Sequence, residues 1–191
     1  MSTAFVGLDY IVDVMGEGGH PARCKAEAAR REVVRHANQA AAYCRARGWP
    51  VIWVRVGFSP GYPEWPAASP LFGGARDAGA FLLGAPGTAF VPELAVQAGD
   101  VVLAKPRVSG FYGTALEAVL RARGVTRLIV AGVSTSLAVS STVRDAHDRD
   151  YAVYLLEDAC AAASEAEHAA ALLPLPAIAR IIRCGTLASL A

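Results

Sequence analysis

The sequence predicts a three-layer α/β/α fold on a mostly parallel sheet of about six strands, in a Rossmann-like order. Two observations carry the expectation. Apolar runs rich in β-branched residues recur along the chain with little polar alternation, as strands covered on both faces require. Most are followed by a turn and a helical pattern, with no compositional break and no internal repeat, so residues 1–191 read as one domain with right-handed crossovers.

The strand candidates are residues 4–8, 51–56, 101–104, 128–133, 153–156 and 178–182. Between the first two, Val33, Ala37, Ala40, Ala41 and Cys44 recur at helical spacing while Arg30, Arg31 and Arg35 take other faces, and Gly48 ends the helix. Before the fourth run, Thr114 and Glu117 form a capping-box pattern, Leu116, Val119 and Leu120 supply an apolar stripe, and Gly124 marks the stop. The same signature returns at Ser164 and Glu167, closed by Pro174.

With 54% hydrophobic residues, 18% charged and a net charge of +1, the chain has the balance of neither a disordered tail nor a nucleic-acid binder. No apolar run approaches the roughly 20 residues of a bilayer span, and the N-terminus lacks the basic and apolar regions of a signal peptide. A cytoplasmic protein with a small-molecule partner is expected. The four cysteines are scattered without metal-ligand spacing and read as reduced thiols; a disulfide is the weaker alternative in that compartment.

One stretch breaks the strand–helix rhythm. Residues 57–87 carry five prolines, many glycines and the aromatics Phe58, Tyr62, Trp65, Phe72 and Phe81, the pattern of a binding loop or of a packed loop without ligand. In open α/β sheets, ligands bind beyond the carboxyl ends of the strands. Asp9 follows the first run, Lys105 the third, and Gly132-Val133-Ser134-Thr135 the end of the fourth. Each alone reads equally well as a capping or surface residue; together they point to one site.

These residues resemble the isochorismatase-like hydrolases, a superfamily that includes nicotinamidases, N-carbamoylsarcosine amidohydrolases and isochorismatases. The resemblance runs through Gly7-Leu8-Asp9 with Asp13, Lys105-Pro106-Arg107 with Ser109, and Phe111-Tyr112-Gly113-Thr114 with Leu116. It is most specific over Ala131-Gly132-Val133-Ser134-Thr135, Ser141-Thr142-Val143-Arg144-Asp145-Ala146, Tyr151 and Glu157-Asp158-Ala159. It implies Asp9 as the acid–base residue, Lys105 as its charge partner, a cis peptide at Val133-Ser134, and an oxyanion hole from the N–H groups of Ser134 and Ala138. Members of the family commonly form dimers or tetramers, so a homodimer or homotetramer is implied as well.

At the position of the family's cysteine nucleophile stands Ala138. A methyl group forms no acyl-enzyme. The alanine belongs to a branch with another reaction, to a binding protein that has lost catalysis, or to a substitution made to trap substrate. The isochorismatase branch works on a vinyl ether without cysteine, with the aspartate as acid; a hydroxyl of Ser134, Thr135, Ser136 or Ser140 is a weaker substitute nucleophile, lacking an evident histidine base. His20, His36, His147 and His168 read as surface or packing residues, and Cys160 is the thiol that the sequence places nearest the same sheet edge.

Similarity to nicotinamidases implies metal ligands after the second strand, but residues 56–62 contain no histidine, so neither metal nor cofactor is expected. Aromatic Phe58, Tyr62, Trp65, Phe111 and Tyr112, with Thr135, are candidates for the substrate wall. The resulting expectation is a hydrolase of a small carbonyl, amide, carbamoyl or enol-ether compound; the competing one is an inactive ligand-binding or scaffold protein that keeps the cavity.

Overall fold

A computed structural model of the protein describes residues 2–190. Six parallel strands, β1 (Ser2–Leu8), β2 (Val51–Val56), β3 (Val101–Lys105), β4 (Val125–Val133), β5 (Ala152–Ala161) and β6 (Arg180–Ile182), pair in the order β3-β2-β1-β4-β5-β6. The chain winds outward from β1 through β2 to β3, then returns across the sheet to β4 and winds the other way. That reversal opens a crevice between the carboxyl ends of β1 and β4, where doubly wound sheets bind their ligands.

The helices are α1 (Val12–Met15), α2 (Lys25–Arg30), α3 (Val33–Arg45), α4 (Leu116–Ala122), α5 (Ser140–His147) and α6 (Glu165–Leu172). Of α3, the buried residues are Val33, Ala37, Ala40, Ala41 and Cys44, the stripe expected from spacing. The helix does not extend back through Arg30: the backbone turns left-handed at Glu32 and separates α2 from α3. That break turns Arg31 inward, where its Nε donates to the Cys160 carbonyl at 2.8 Å.

Two expectations about capping divide. The Ser164 hydroxyl accepts from the Glu167 N–H at 3.1 Å, as the signature requires. Thr114 instead accepts from the nearer Leu116 N–H at 3.1 Å and donates to the Gly110 carbonyl at 2.7 Å, so it builds the preceding turn and leaves α4 without a side-chain cap.

β5 runs well past its apolar stretch, because the polar pair Glu157 and Asp158 is satisfied in place. Glu157 pairs with Arg31, Arg183 and His168, and Asp158 accepts from the Cys184 N–H at 2.9 Å. β6 is shorter than expected because Ile178 ends the single 3-10 turn Leu175–Ala177.

The core lies between sheet and helices, with Phe5, Tyr10 and Trp53 stacked edge to face near its centre. A second, smaller apolar cluster gathers Ile11, Val56, Phe58, Phe72, Ala75, Ala80 and Phe81. It belongs to the long β2–β3 connection, whose only regular element among the described residues is the 3-10 turn Pro86–Thr88. Reciprocal bonds, Phe58 N–H to the Phe81 carbonyl at 2.7 Å and Leu83 N–H to the Phe58 carbonyl at 2.8 Å, fold this segment back on itself.

Candidate active site

A cavity of about 270 Å³ opens at the topological switch point, floored by Asp9, Lys105, Val133, Ser134 and Ala138. Three strand ends deliver these groups. Asp9 sits one residue past β1 in a left-handed conformation (φ 56°), and its N–H donates to the Val54 carbonyl at 2.8 Å, which fixes where the side chain leaves the sheet. Lys105 is the last residue of β3, two strands away, and its Nζ reaches back to Asp9 Oδ2 at 2.7 Å and to the Arg107 carbonyl at 3.1 Å. Asp9 Oδ1 accepts from the Val56 N–H at 2.6 Å.

Both charges are out of solvent, Asp9 3% and Lys105 1% exposed. An isolated buried ion is costly, and this pair is tolerable because each partner is neutralised and hydrogen-bonded. Burial pushes the Asp9 carboxyl above its ordinary range, opposed by Lys105 and by the Val56 N–H; the desolvation effect is the larger. A carboxyl placed so is suited to taking up and releasing a proton.

The third contribution comes from β4. The Val133–Ser134 peptide is cis, and a single wide π-turn, Thr135–Val139, connects it to α5. Gly132 precedes it with φ 149° because a Cβ there would lie 2.3 Å from the Leu8 carbonyl oxygen; β1 and β4 can approach this closely only without a side chain. The Ser134 carbonyl accepts from the N–H groups of Leu137 (3.4 Å) and Val139 (3.1 Å), and the Ala138 N–H between them is not a third donor to it.

Side chains brace the turn from behind. Thr142 donates to the Ala138 carbonyl at 2.7 Å and accepts from the Gly110 N–H at 2.9 Å, tying the turn to the loop after Lys105. Thr135 lies 2.7 Å from His168 Nδ1, whose Nε2 lies 3.1 Å from Glu157. Hydrogen bonding from His168, together with Arg31 and Arg183 and against partial burial, holds the Glu157 carboxyl down at about 2. Glu157 is thus an acceptor, so Nε2 of His168 carries a proton, and in that tautomer Nδ1 accepts a hydrogen bond from the Thr135 hydroxyl.

Hydroxyl, imidazole and carboxylate here stand in the order of a catalytic triad, but Thr135 is fully buried and does not line the cavity. Nor is a serine presented to Asp9. Ser136 donates to Glu167 at 2.5 Å, which leaves the Ser134 hydroxyl to donate to Ser136 at 3.2 Å. The Ser140 hydroxyl is turned to the Ser136 carbonyl at 2.8 Å.

The expected aromatic wall is relocated. Phe58 is fully buried in the smaller cluster, and Tyr62 and Trp65 pack against it, with their polar atoms donating to the carbonyls of Ala80 and Phe72, both at 2.8 Å. Phe111 stacks on Tyr151 in the main core, and Tyr112 is 57% exposed beside Arg107. None of these residues, nor Thr135, lines the cavity. Phe72 and Phe81, from the same proline-rich segment, do. Their neighbours explain the exchange: Phe58 continues straight from β2 into the interior, whereas Asp13 Oδ2 accepts from the Phe81 N–H at 2.7 Å and holds that ring against the α1 side of the cavity.

Asp13, His20, Arg23 and Cys24 also line it, and only Asp13 stood within a recognisable motif. Asp13 Oδ1 accepts from the His20 N–H at 3.0 Å, and Arg23 pairs with Glu167 at 3.2 Å. The cysteine that lines the cavity is therefore Cys24, not Cys160, whose thiol donates to the Leu156 carbonyl inside the sheet. Burial pushes the Cys24 thiol up to about 11, which keeps it protonated and a poor nucleophile. Among the described residues, no group of three or more His, Cys, Asp or Glu side chains is disposed to hold a metal ion.

Comparison with known proteins agrees with this architecture. The isochorismatase domain family matches residues 3–183. The chain belongs to that family. Its sequence is 40% identical over 153 residues to the ureidoacrylate amidohydrolase RutB of Methylobacterium radiotolerans, covering 73% of this chain and 59% of the relative. The Klebsiella pneumoniae RutB is 36% identical over 143 residues, covering 69% and 61%. The chain thus matches only about three fifths of these relatives' length. Among solved structures, N-carbamoylsarcosine amidase from Thermoplasma acidophilum superposes with a TM-score of 0.78 at 29% identity, over 96% of this chain and 97% of that one. An isochorismatase-like hydrolase from Alkaliphilus metalliredigens superposes with a TM-score of 0.85 at 23% identity, over 100% and 99%, and speaks for the fold alone.

Proposed function

We propose that this family member is a hydrolase of a small amide, carbamoyl or enol-ether compound in which Asp9 moves the proton and water supplies the new C–O bond. One observation carries the reading: a buried carboxyl paired with an ammonium forms the cavity floor beside a methyl group, where the family's nucleophile would stand. With an amide or carbamoyl substrate, Asp9 takes a proton from water, the oxygen attacks the carbonyl, and the developing oxyanion rests on the N–H groups of Ser134 and Ala138. Asp9 then passes its proton to the leaving nitrogen. The amide and carbamoyl activities named for the relatives support this route.

The raised Asp9 carboxyl favours a second route. In its protonated form Asp9 protonates the carbon end of an enol ether, water adds to the cation so formed and gives its proton back to the Asp9 carboxylate, and the hemiketal collapses to a carbonyl compound and an alcohol. Neither route needs a thiol. A panel of carboxamides, carbamoyl compounds and enol ethers separates them, and Asp9→Asn is expected to lower turnover of the accepted substrate about 10²–10⁴-fold. An unchanged rate overturns the role of Asp9. Ligand binding without turnover of any of the three classes establishes instead the inactive binding or scaffold protein. Ala138→Cys is expected to add amidase activity through an acyl-enzyme.

The same reading has the chain act as one domain in the cytoplasm, as a homodimer or homotetramer. Among the described residues no helix is long and apolar enough to cross a membrane. Exposed Leu173, Tyr112 and Val102 are apolar surface that self-association can cover, and light scattering on the purified protein measures the stoichiometry.

A further inference from the structure

We infer that the part of the substrate carried away from the reacting bond is apolar and uncharged, and that a substrate bearing a carboxylate there is rejected. The inference deepens the proposed function and rests on the same cavity, but it concerns binding and not the chemical step.

Above the floor, Val14, Leu71, Phe72, Phe81, Val108 and Leu137 form the apolar part of the wall. Such a wall gains from burying hydrocarbon and offers no hydrogen bond to replace the water an ionic group would lose. At about 270 Å³ the space is also just below the roughly 300–1,000 Å³ that holds drug-sized ligands, so little room remains for a hydration shell.

The charges that do reach the cavity decide the sign. Its two Lys and Arg side chains are both engaged: Lys105 with Asp9 at 2.7 Å, and Arg23 with Glu167 at 3.2 Å. Asp13 also lines the cavity and, among the described residues, has no Lys or Arg ion pair, its two oxygens occupied by the N–H groups of His20 and Phe81. An entering anion therefore meets a second acidic side chain and, the His20 imidazole at the lining apart, must break an existing pair to find a cationic partner. An uncharged body meets neither penalty.

Titration calorimetry with benzamide and with 4-carbamoylbenzoate, which differ by one remote carboxylate, tests this on the intact protein. Benzamide is expected to bind at least tenfold more tightly, and to bind Asp9→Asn as well, so that affinity is read whether or not the amide is cleaved. Leu71, 43% exposed at the rim, can be changed without emptying the core. Leu71→Ser is expected to weaken benzamide threefold or more while leaving the carbamoylbenzoate affinity unchanged. Equal affinities, tighter binding of the carboxylate, or binding of neither ligand at millimolar concentration overturns the inference. Tighter carboxylate binding that Arg23→Gln abolishes would assign Arg23 as the anion's partner and overturn it in the same way. The two readings fail separately: benzamide bound but never hydrolysed, with every substrate class inert, sinks the hydrolase and leaves the apolar cavity, whereas Asp9-dependent cleavage of carboxylated substrates alone does the reverse.

Discussion

Removing the ammonium from the cavity floor isolates the interaction on which the site depends. Lys105→Met keeps the length and apolar stem of the side chain but leaves Asp9, 3% exposed, facing hydrocarbon. At 2.7 Å the attraction between unit charges is about 6 kcal/mol at an effective dielectric constant near 20. The desolvation of both groups offsets part of this, and breaking a buried pair by deleting one member costs about 3–5 kcal/mol.

For a chain of 191 residues, that is a fall in Tm on the order of 10 °C. The variant also acquires a pH signature. Without Lys105 the Asp9 carboxyl rises further, so the folded state binds a proton that the unfolded chain releases at ordinary carboxylate pH. Stability therefore falls as pH rises through that interval, and the loss is relieved in acid. Urea denaturation of wild type, Lys105→Met, Asp9→Asn and the double variant, between pH 4 and 8, completes a double-mutant cycle. A coupling energy of about 2 kcal/mol or more is expected. Additive single effects, or a Lys105→Met penalty that does not shrink in acid, refute the pairing.

Two further perturbations probe the frame around the site. Because the folded Glu157 carboxyl lies at about 2, against an ordinary 4.5, its contribution is present in full above that ordinary value and is lost as pH falls towards 2. With solvent screening of the partly exposed network, about 2 kcal/mol of acid-sensitive stability follows, so urea midpoints measured at pH 6 and pH 3 should differ more in wild type than in Glu157→Gln; identical pH dependence in the two proteins contradicts it. Gly87→Ala would place a Cβ 2.2–2.4 Å from the Asp13 carboxylate, which must move and release the Phe81 N–H, so a loss of about 1–3 kcal/mol is expected in the same assay. A neutral substitution would show that the β2–β3 connection is not held through Asp13.

What the residues disclosed in advance follows from how far each signal reaches along the chain. Strands buried on both faces announce themselves as continuous apolar runs, and the α3 stripe at Val33, Ala37, Ala40, Ala41 and Cys44 is a purely local periodicity. Asp9 and Lys105 are legible for a related reason: each is the first polar group at the end of such a run.

The cavity walls are not local in that sense. Phe58 and Phe81 are chemically alike and lie in one segment, and the bond from the Phe81 N–H to Asp13, 68 positions away, is among the contacts that hold Phe81 and not Phe58 at the cavity. The network around Glu157 and His168 is hidden for the same cause. Their partners, Arg31, Arg183 and Thr135, come from three other places in the chain, so the apolar run of β5 reads as ending at Leu156, and the packing role expected of His168 carries no hint of the bonds it makes.

The sheet order explains why the shape of the cavity does not depend on the side chain at position 138. Asp9 and Lys105 are positioned by β1 and β3, and the Ser134–Ala138 turn by β4, with Thr142, Thr135 and His168 holding it from behind. None of those supports passes through the side chain of Ala138. Replacing its methyl group by a thiol changes the available chemistry while leaving the charges and the backbone donors where they are. The converse also holds: Thr142→Val keeps a similar volume but deletes both the bond to the Ala138 carbonyl and the acceptor for the Gly110 N–H. It is expected to cost about 1–3 kcal/mol by leaving a buried donor unsatisfied, and to lower turnover by the same factor in the wild-type and Ala138→Cys backgrounds. A Thr142→Val change that impaired only the thiol enzyme would show that the brace serves the nucleophile and not the turn.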